Sequence, residues 1–334
     1  MQATNLNDVE SLGEQVGKLT WYHTIDFGNG IVTPGIYDHR PLLYHYGFPE
    51  SLVGKTVLDI GTASGFFAFE FEKRGASKVV ATDLPRWTDH DVSPEYRAQL
   101  SDEEFGSYLK DPFSLAQKAL NSKVTKKEIS IYEISPETVG EFDVVFCGSL
   151  LQHLTDPIKA LFNIREVARE QAIVATMIDL LPSEEPRALF LNQVHEMSWW
   201  APNLTCLVRM VKSAGFEHVE IVSTFNLVSV DGTINVPHAV IRAWVDWPEA
   251  NASTGSSSAK NAVVAVLASR QADPAVLGPI PWWVLLRKAW EIVRQEGIKA
   301  FWKHRRVYAR LCLKKVVVTM KHRLDRVEAN LSDY

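Results

Sequence analysis

The chain has 334 residues, of which 46% are hydrophobic, and a formal net charge of −5, so it can form one large domain or two modest ones with a full core. Its three cysteines are widely spaced, which excludes a disulfide framework and a cysteine metal site. The first 17 residues contain neither Lys nor Arg nor an apolar run, and no apolar run approaches 18 residues, so we expect a cytoplasmic protein without signal peptide or membrane span.

The N-terminal region combines a helix with an aromatic turn segment. Leu6, Val9, Leu12 and Val16 share one helical face and predict a helix over residues 5–19. The sequence W-Y-H-T-I-D-F-G-N-G then begins at residue 21, and T-P-G follows a few residues later. These glycine- and proline-rich runs indicate turns that carry aromatic and polar side chains.

The most informative stretch is V-L-D-I-G-T-A-S-G-F-F at residues 57–67. An apolar run ends in an acid and a glycine turn before a helix-like run opens, as in the first half of a βαβ unit. Gly61 and Gly65 lack a Cβ and let the backbone approach a ligand closely. Asp59 at the strand end would repel a pyrophosphate and attract an ammonium or a sulfonium. The spacing of the two glycines matches neither the dinucleotide-binding fingerprint nor the P-loop motif.

The rest of the chain to residue 246 continues an α/β pattern. The predicted strands are residues 55–60, 78–83, 128–134, 142–147 and 171–179, closed by an antiparallel pair at 218–228 and 238–244. The predicted helices are residues 65–74, 157–169 and 204–214, and insertions occupy 84–126, helical around 103–120, and 180–202. Asp83 ends the second strand, 22 residues after Gly61, where a carboxylate can take both ribose hydroxyls.

The run D-I-G-T-A-S-G-F-F together with Asp83 resembles the class I S-adenosylmethionine (SAM) methyltransferases, and the resemblance covers residues 15–246. It implies a Rossmann-like α/β fold with a seven-stranded sheet, here with helical insertions and a helical C-terminal extension. It also implies SAM as cofactor, with Glu133 and Ile134 at the adenine. The remaining cofactor contacts that it implies in these loops are Asp59, Gly61, Thr62, Ser64, Gly65, Asp83, Leu84 and Gly148.

The aromatic turn segment resembles one branch of that family, the tRNA wobble-uridine carboxymethyltransferases and their small-molecule relatives. There the segment lies over the cofactor as a lid. Trp21 and Tyr22 are therefore candidates to face the sulfonium through cation–π attraction, or else form a pair that anchors the core. Arg40 is a candidate to pair with the methionine carboxylate, or else is a surface charge.

The run G-S-L-L-Q-H-L-T-D-P, which begins at Gly148, resembles the family loop after the fourth strand. His153 is our first candidate for a general base, with helix capping or core packing as the alternative, and His195 is the second. Two further histidines, His23 and His238, are weaker candidates. In carboxymethyl-transferring members a tyrosine precedes this histidine, whereas Gln152 stands here, which favours ordinary SAM.

The second insertion ends in W-W-A-P-N, which resembles a family pattern that lines the acceptor pocket. Gln152, Trp199, Trp200 and Asn203 are accordingly predicted to contact the substrate. No constellation of carboxylates suggests a metal, so we predict no metal site.

Positive charge is concentrated near the C-terminus. Residues 285–326 carry 13 Lys or Arg and 3 Asp or Glu, a balance of +10, which leaves −15 for the remainder. We predict an N-terminal helix and lid at 1–50, a methyltransferase domain at 51–249, a linker at 250–274 and a basic helical extension at 275–334. The amphipathic stretch 281–326 indicates an anionic membrane surface; docking on a protein and an RNA-binding arm are the alternatives.

Three functions remain open from the sequence. The first is O-methylation of a small-molecule or glycan acceptor by in-line transfer with a histidine base. The second is modification of a tRNA wobble uridine, which the acidic balance outside the tail disfavours. The third is a non-catalytic scaffold recruited by its tail, for which the first motif would be expected to be broken.

Overall fold

The computed structural model describes residues 11–98, 111–180, 184–192 and 197–246. The helices are α1 (Leu12–Gly17), α2 (Phe66–Lys73), α3 (Pro94–Arg97), α4 (Asp111–Ala119), α5 (Pro157–Val167) and α6 (Leu204–Ser213). The strands are β1 (Trp21–His23), β2 (Gly35–Tyr37), β3 (Thr56–Ile60), β4 (Lys78–Asp83), β5 (Thr125–Glu128), β6 (Phe142–Gly148), β7 (Ala168–Met177), β8 (Ala188–Phe190), β9 (Trp200–Pro202), β10 (His218–Val228) and β11 (Asn235–Trp244). Short 3₁₀ helices occupy Arg40–Tyr46, Trp87–Asp89, Ile131–Glu133 and Leu151–His153.

The centre of the fold is a seven-stranded sheet in the order β10-β11-β7-β6-β3-β4-β5. The five strands from β7 to β5 pair in parallel, while β11 pairs antiparallel with β7 and β10 antiparallel with β11. The strand order reverses at β3, so the carboxyl ends of β3 and β6 flank a crevice of the kind that binds ligands in open α/β sheets. The predicted Rossmann-like seven-stranded fold is confirmed.

Successive residues of the parallel strands pack into two separate cores. Val57 of β3 belongs to the core that contains Phe67 and Phe71 of α2, whereas its neighbour Leu58 belongs to the core that contains Leu161 of α5. This alternation follows from the two-residue period of a strand, and it requires apolar residues on both faces because both are covered. It explains why these strands are near-continuous apolar runs in the sequence.

One predicted element is wrong in position, and a second is tested only over part of its length. The strand expected at residues 128–134 ends at Glu128, because Ser130 caps a 3₁₀ turn in which its Oγ accepts from Tyr132 N at 3.3 Å and Glu133 accepts from Ser130 N at 3.4 Å. The first described helix begins only at Leu12, since Ser11 and Glu14 form a reciprocal capping box. The earlier part of the predicted helix 5–19 lies outside the described residues.

Several further predictions fall outside the described residues. They are the first half of the helix around 103–120, the linker at 250–274 and the basic extension at 275–334. Within the described ranges, every helix is too short or too polar to cross a bilayer.

Candidate active site

A cavity of about 520 Å³ opens at the carboxyl ends of the parallel strands. Gly61, Ala63 and Asp83 line one part of it, and Gly148 and Ser149 at the end of β6 line another. A smaller cavity of about 50 Å³ shares Gly61, Asp83 and His153 with the large one and is also lined by Leu84. The loop after β3, the acid that ends β4 and the loop after β6 therefore meet around one space, as the sequence predicts.

The loop after β3 is held in shape by its own backbone and by Asp83. Gly61 has φ +75°, and a Cβ there would lie 3.1 Å from the Leu150 side chain. The Asp83 carboxylate accepts hydrogen bonds from Ala63 N at 2.7 Å and from Leu84 N at 2.8 Å. Two backbone donors thus fix a carboxylate at the wall of the cavity. These two hydrogen bonds do not use all of its acceptor sites.

Asp59 lies beneath the loop and does not line either cavity. Its side chain is buried and accepts a hydrogen bond from Thr62 Oγ1 at 2.6 Å. The pKa of Asp59 is raised to about 7, because burial and the charge of Asp83 raise it by more than the hydrogen bonds from Thr62 and the Ala68 backbone lower it. The expectation that Asp59 faces a cation needs correction, because Thr62 holds its carboxylate inside the loop.

Thr62, Ser64 and Gly65 also act on the loop itself. The backbone N of Thr62 donates to Thr82 O at 3.0 Å, and Gly65 N donates to Thr62 O at 2.8 Å. Ser64 is fully buried, and its Oγ accepts from Tyr22 N at 3.1 Å, which ties the N-terminal segment to the loop. None of the three lines the cavity.

Of the three cofactor contacts predicted in the N-terminal region, only Tyr22 lines the cavity. Trp21 is 1% exposed, packs in the core and donates from Nε1 to Val16 O at 3.0 Å. Arg40 forms a fork with the Asp38 carboxylate, at 2.9 and 2.7 Å, and does not line the cavity. Trp21 is therefore a core anchor, and Arg40 is a surface charge in an ion pair. Both were the alternatives given in the sequence analysis.

The residues predicted at the adenine also lie away from both cavities. Glu133 is exposed and caps its own turn, while Ile134 is buried in the core. Glu133 and Ile134 lie away from the cavities because β5 ends at Glu128, earlier than predicted. The residues just before Glu133 lie at the cavity edge instead. Ser130, Ile131 and Tyr132 line the smaller cavity.

Gln152 and His153 both line the large cavity. The amide of Gln152 is fixed at both ends, since Nε2 donates to Ser149 O at 2.9 Å and Oε1 accepts from Thr176 Oγ1 at 2.8 Å. His153 Nδ1 lies 3.2 Å from Met197 O, and its Nε2 lies 3.2 Å from Gln152 Nε2. Burial lowers the pKa of His153 to about 4, so its ring is neutral near pH 7. His195 lies outside the described residues.

The cavity contains more histidines than the sequence analysis predicted. His23, His39, His90 and His238 line it in addition to His153. His39 and His90 were not predicted at all, although His39 follows β2 within the lid segment and its position there was a usable signal. The part of the chain that the structure describes contains no group of His, Cys, Asp or Glu that could hold a metal ion.

The predicted substrate contacts at the end of the second insertion are structural in this arrangement. Trp199 donates from Nε1 to Asp91 O at 2.7 Å, and Trp200 from Nε1 to Thr155 O at 3.4 Å. Asn203 is the N-cap of α6, with Oδ1 accepting from Cys206 N at 2.8 Å. These residues do not line the cavity, whereas Met197 and Ser198 do.

Comparison with known proteins finds curated relatives that share one name. The chain is 23% identical over 180 residues to the tRNA U34 carboxymethyltransferase of Campylobacter jejuni, covering 53% of this chain and 54% of the relative. It is 25% identical over 187 residues to the enzyme of that name from Ectopseudomonas mendocina, covering 54% and 50%. The chain thus spans about half the length of the curated relatives it matches.

Two solved structures are similar at lower identity. The N-terminal domain of EvdMO1 with SAH bound is 16% identical with a TM-score of 0.46, covering 70% of this chain and 94% of that one. The 1,6-didemethyltoxoflavin-N1-methyltransferase of Burkholderia thailandensis is 16% identical with a TM-score of 0.38, covering 61% and 77%.

A model of the family described as "Methyltransferase domain" matches residues 41–221, which include the glycine loop, Asp83 and the loop after β6. This match covers more than half of the chain. The chain therefore belongs to the methyltransferase-domain family.

Proposed function

We propose that this protein is a SAM-dependent methyltransferase that methylates an uncharged hydroxyl of a small molecule or glycan. The observation that carries the proposal is the Asp83 carboxylate, fixed by Ala63 N and Leu84 N at the wall of a cavity beside the Gly61 loop. A carboxylate in this position suits the two ribose hydroxyls of a nucleoside, and Gly61 allows the close approach of a ligand.

The residues present fit SAM. Asp83 would hold the ribose, and Tyr22 offers an aromatic side chain toward the cavity that a sulfonium can contact. Leu84 and Ser130 to Tyr132 would border the base from the smaller cavity. When bound, SAM supplies an electrophilic methyl group on a positively charged sulfur.

The acceptor class follows from the wall of the cavity. Its described lining is mostly apolar or aromatic, with Asp83 as the carboxylate and without Lys or Arg. Such a wall offers no cationic side chain to a phosphate or carboxylate on the acceptor, so an uncharged acceptor fits best. It equally lacks a cation for the additional carboxylate of a carboxylated SAM, which agrees with Gln152 in the place of a tyrosine and favours ordinary SAM.

An uncharged hydroxyl must lose its proton as the methyl group arrives, and a neutral histidine can accept it. Two candidates with lowered pKa values face the cavity, His153 and His238. His195 stays a prediction. Replacing His153 by Ala tests the first candidate: turnover should fall far more than SAM affinity if it is the base, while near-normal turnover moves that role elsewhere.

The proposed activity is tested by incubating the full chain with SAM and panels of alcohols, phenols and glycans, and by quantifying S-adenosylhomocysteine and methylated product. We expect product with uncharged hydroxyl acceptors and none with their phosphate esters. A non-catalytic scaffold would bind no SAM and release no S-adenosylhomocysteine.

A tRNA wobble uridine is the second candidate acceptor, because the similar curated proteins are named for tRNA U34. The basic segment 285–326 supports it, while the acidic balance of the remainder and the cavity wall disfavour it. Binding of tRNA that weakens steeply between about 50 and 200 mM salt would support this candidate.

We propose further that the protein works at the cytoplasmic face of a membrane. Residues 281–326 combine Trp and Leu with clustered Lys and Arg, a composition that suits anionic lipid headgroups. This role would bring the enzyme close to acceptors that are held at a membrane.

A further inference from the structure

Ser149 and His238 form a hydrogen-bonded pair in the wall of the large cavity. Ser149 Oγ lies 3.1 Å from His238 Nε2, and both residues line the cavity. Ser149 directly follows β6 and has φ +51°, a left-handed conformation that is uncommon for serine. His238 lies on β11, so two different strands bring the pair together.

The direction of this hydrogen bond follows from the other ring nitrogen. His238 Nδ1 lies 3.0 Å from Val236 O, a carbonyl that can only accept, so Nδ1 carries the hydrogen. In a neutral ring Nε2 then has a lone pair, and the Ser149 hydroxyl must donate to it. His238 is 2% exposed, and burial lowers its pKa to about 4, which keeps the ring neutral near pH 7.

His153 is arranged differently. Its Nε2 faces the amide nitrogen of Gln152, whose orientation is fixed because Oε1 accepts from Thr176. Its Nδ1 faces Met197 O. Both ring nitrogens are therefore engaged, and the partner at Nε2 is an amide N–H, which does not pass protons on. A hydroxyl in the same position, as in the Ser149–His238 pair, can receive one proton while it gives up another.

We propose that Ser149 removes the proton from the acceptor hydroxyl and passes its own proton to His238, so that the pair forms a proton relay. This inference rests on the proposed methyltransferase function and its uncharged hydroxyl acceptor, and it adds the residues that remove the acceptor's proton. Ser149 is the catalytic residue that touches the acceptor, and His238 is a positioning residue that acts through it.

The step balances in atoms and charge. The acceptor O–H bond breaks and a new Ser149 O–H bond forms, while the original Ser149 O–H bond breaks and a His238 Nε2–H bond forms. The acceptor oxygen uses the freed electron pair to bond the methyl carbon, whose bond to sulfur breaks with its pair left on sulfur. One positive charge leaves sulfur as one forms on His238, so the buried cavity holds the same total charge before and after. His238 then releases its proton to solvent.

The test uses Ser149→Ala and His238→Gln in the full chain, with SAM as methyl donor and phenol and 4-nitrophenol as probe acceptors. The Gln side chain keeps an acceptor oxygen for Ser149 but cannot take a proton. Methyl transfer to phenol should fall about 100-fold or more in both variants. The loss should be much smaller with 4-nitrophenol, whose more acidic hydroxyl needs less help. Ser223→Ala and His218→Gln, away from the cavity, are the matched controls.

Several results separate the relay from the proposed function. SAM should bind the wild type and both variants equally by calorimetry; failure of the wild type to bind SAM overturns the proposed function itself. Turnover of His238→Gln within about twofold of wild type shows a merely structural role and overturns the relay. Absence of product from either phenol with wild type contradicts the acceptor class. Nitrogen-15 NMR of the histidine rings gives an independent check, because a hydrogen on Nε2 of His238 would leave Ser149 without its acceptor.

Discussion

Three cavity-lining histidines are 2–3% exposed: His23, His39 and His238. Burial lowers the pKa of His39 to about 3 and that of His238 to about 4, and it lowers the pKa of His23 well below its ordinary value. At a pH just below the ordinary histidine pKa, each ring stays neutral in the folded chain. In the unfolded chain the same ring binds a proton. At the scale of single residues, these groups couple the stability of the fold to pH.

We predict that the free energy of unfolding falls as the pH is lowered from about 6.5 toward 4. Over this window the unfolded chain binds more protons than the folded one, and each buried histidine contributes a slope of up to ~1.4 kcal/mol per pH unit. Asp59 acts in the opposite direction, since its raised pKa weakens the fold as the pH rises from about 4 to 7. Urea unfolding between pH 4.5 and 7.5 measures the sum.

The matched variant for this pH dependence is His238→Gln, which removes one titrating ring. Its unfolding free energy should change less steeply with pH than that of the wild type. An equally steep slope in both proteins would show that the His238 ring does not remain neutral in the folded chain.

Side-chain partners explain which site residues the sequence could predict. Asp83 and Gly61 were predictable, because a carboxylate at the end of one strand and a glycine after its neighbour must meet at one edge of a parallel sheet. Trp21 and Arg40 were not, because Val16 O and Asp38 hold their polar groups, and a motif does not show such competing partners. The same holds for Asp59, which Thr62 turns into the loop.

At the scale of elements, the start of α2 depends on the absence of a side chain. Gly65 has φ +92°, and a Cβ there would lie 2.5 Å from Phe69 and 2.8 Å from Phe113. Gly65→Ala should therefore destabilise the fold by more than ~1 kcal/mol, through both backbone strain and overpacking. Thermal or urea unfolding measures the loss.

Gly54 provides the control for this substitution, because it has φ +77° but open space around its Cβ position. Gly54→Ala carries the backbone strain alone and should destabilise less. Equal losses in the two variants would mean that the phenylalanine rings move aside at no cost.

Substitution of Asn203, at the start of α6, distinguishes a helix-capping role of this residue from a substrate-binding role. Its Oδ1 accepts from Cys206 N, and its Nδ2 donates to Glu185 O at 2.8 Å. Asn203→Ala should cost about 1–2 kcal/mol of stability, and Asn203→Asp, which keeps the cap, should cost less. SAM affinity and methyl transfer to phenol should stay near wild type in both. A large loss of transfer with intact stability would restore Asn203 to the acceptor site.

The elements were predictable where the sequence contains strong boundary signals. Asp156 and Pro157 begin α5 as expected, with Asp156 Oδ1 accepting from Lys159 N at 2.9 Å. The strand predicted at 128–134 failed because its alternating pattern continues through a serine cap, and a local hydrogen bond outweighs a weak period. Short, exposed strands such as β5 have little burial to fix their limits.

At the scale of the whole molecule, the opposite charges of the tail and the remainder carry the membrane proposal. Removing residues 275–334 should release the protein from liposomes that contain anionic lipid and leave SAM binding unchanged. Replacing Lys314 and Lys315 by Glu should weaken the association with less change to the chain. Cosedimentation at two salt concentrations measures both. Failure of the full chain to sediment with anionic liposomes would contradict the proposal.

The central claim is that the carboxylate of Asp83, the last residue of β4, holds the ribose of SAM. Calorimetric titration of SAM into wild type, Asp83→Ala and Asp83→Asn tests it most directly. Asp143→Asn is the control, because that carboxylate also accepts two hydrogen bonds, from Thr56 N at 2.7 Å and Thr56 Oγ1 at 2.9 Å, but near the opposite end of the sheet.

We expect the wild type and Asp143→Asn to bind SAM alike. Asp83→Ala should bind about 10- to 100-fold more weakly while remaining folded, because charge-assisted hydrogen bonds to the ribose contribute about 1.5–3 kcal/mol. Asp83→Asn should lie between them. Unchanged affinity in Asp83→Ala, or no binding of SAM by the wild type, would contradict the account.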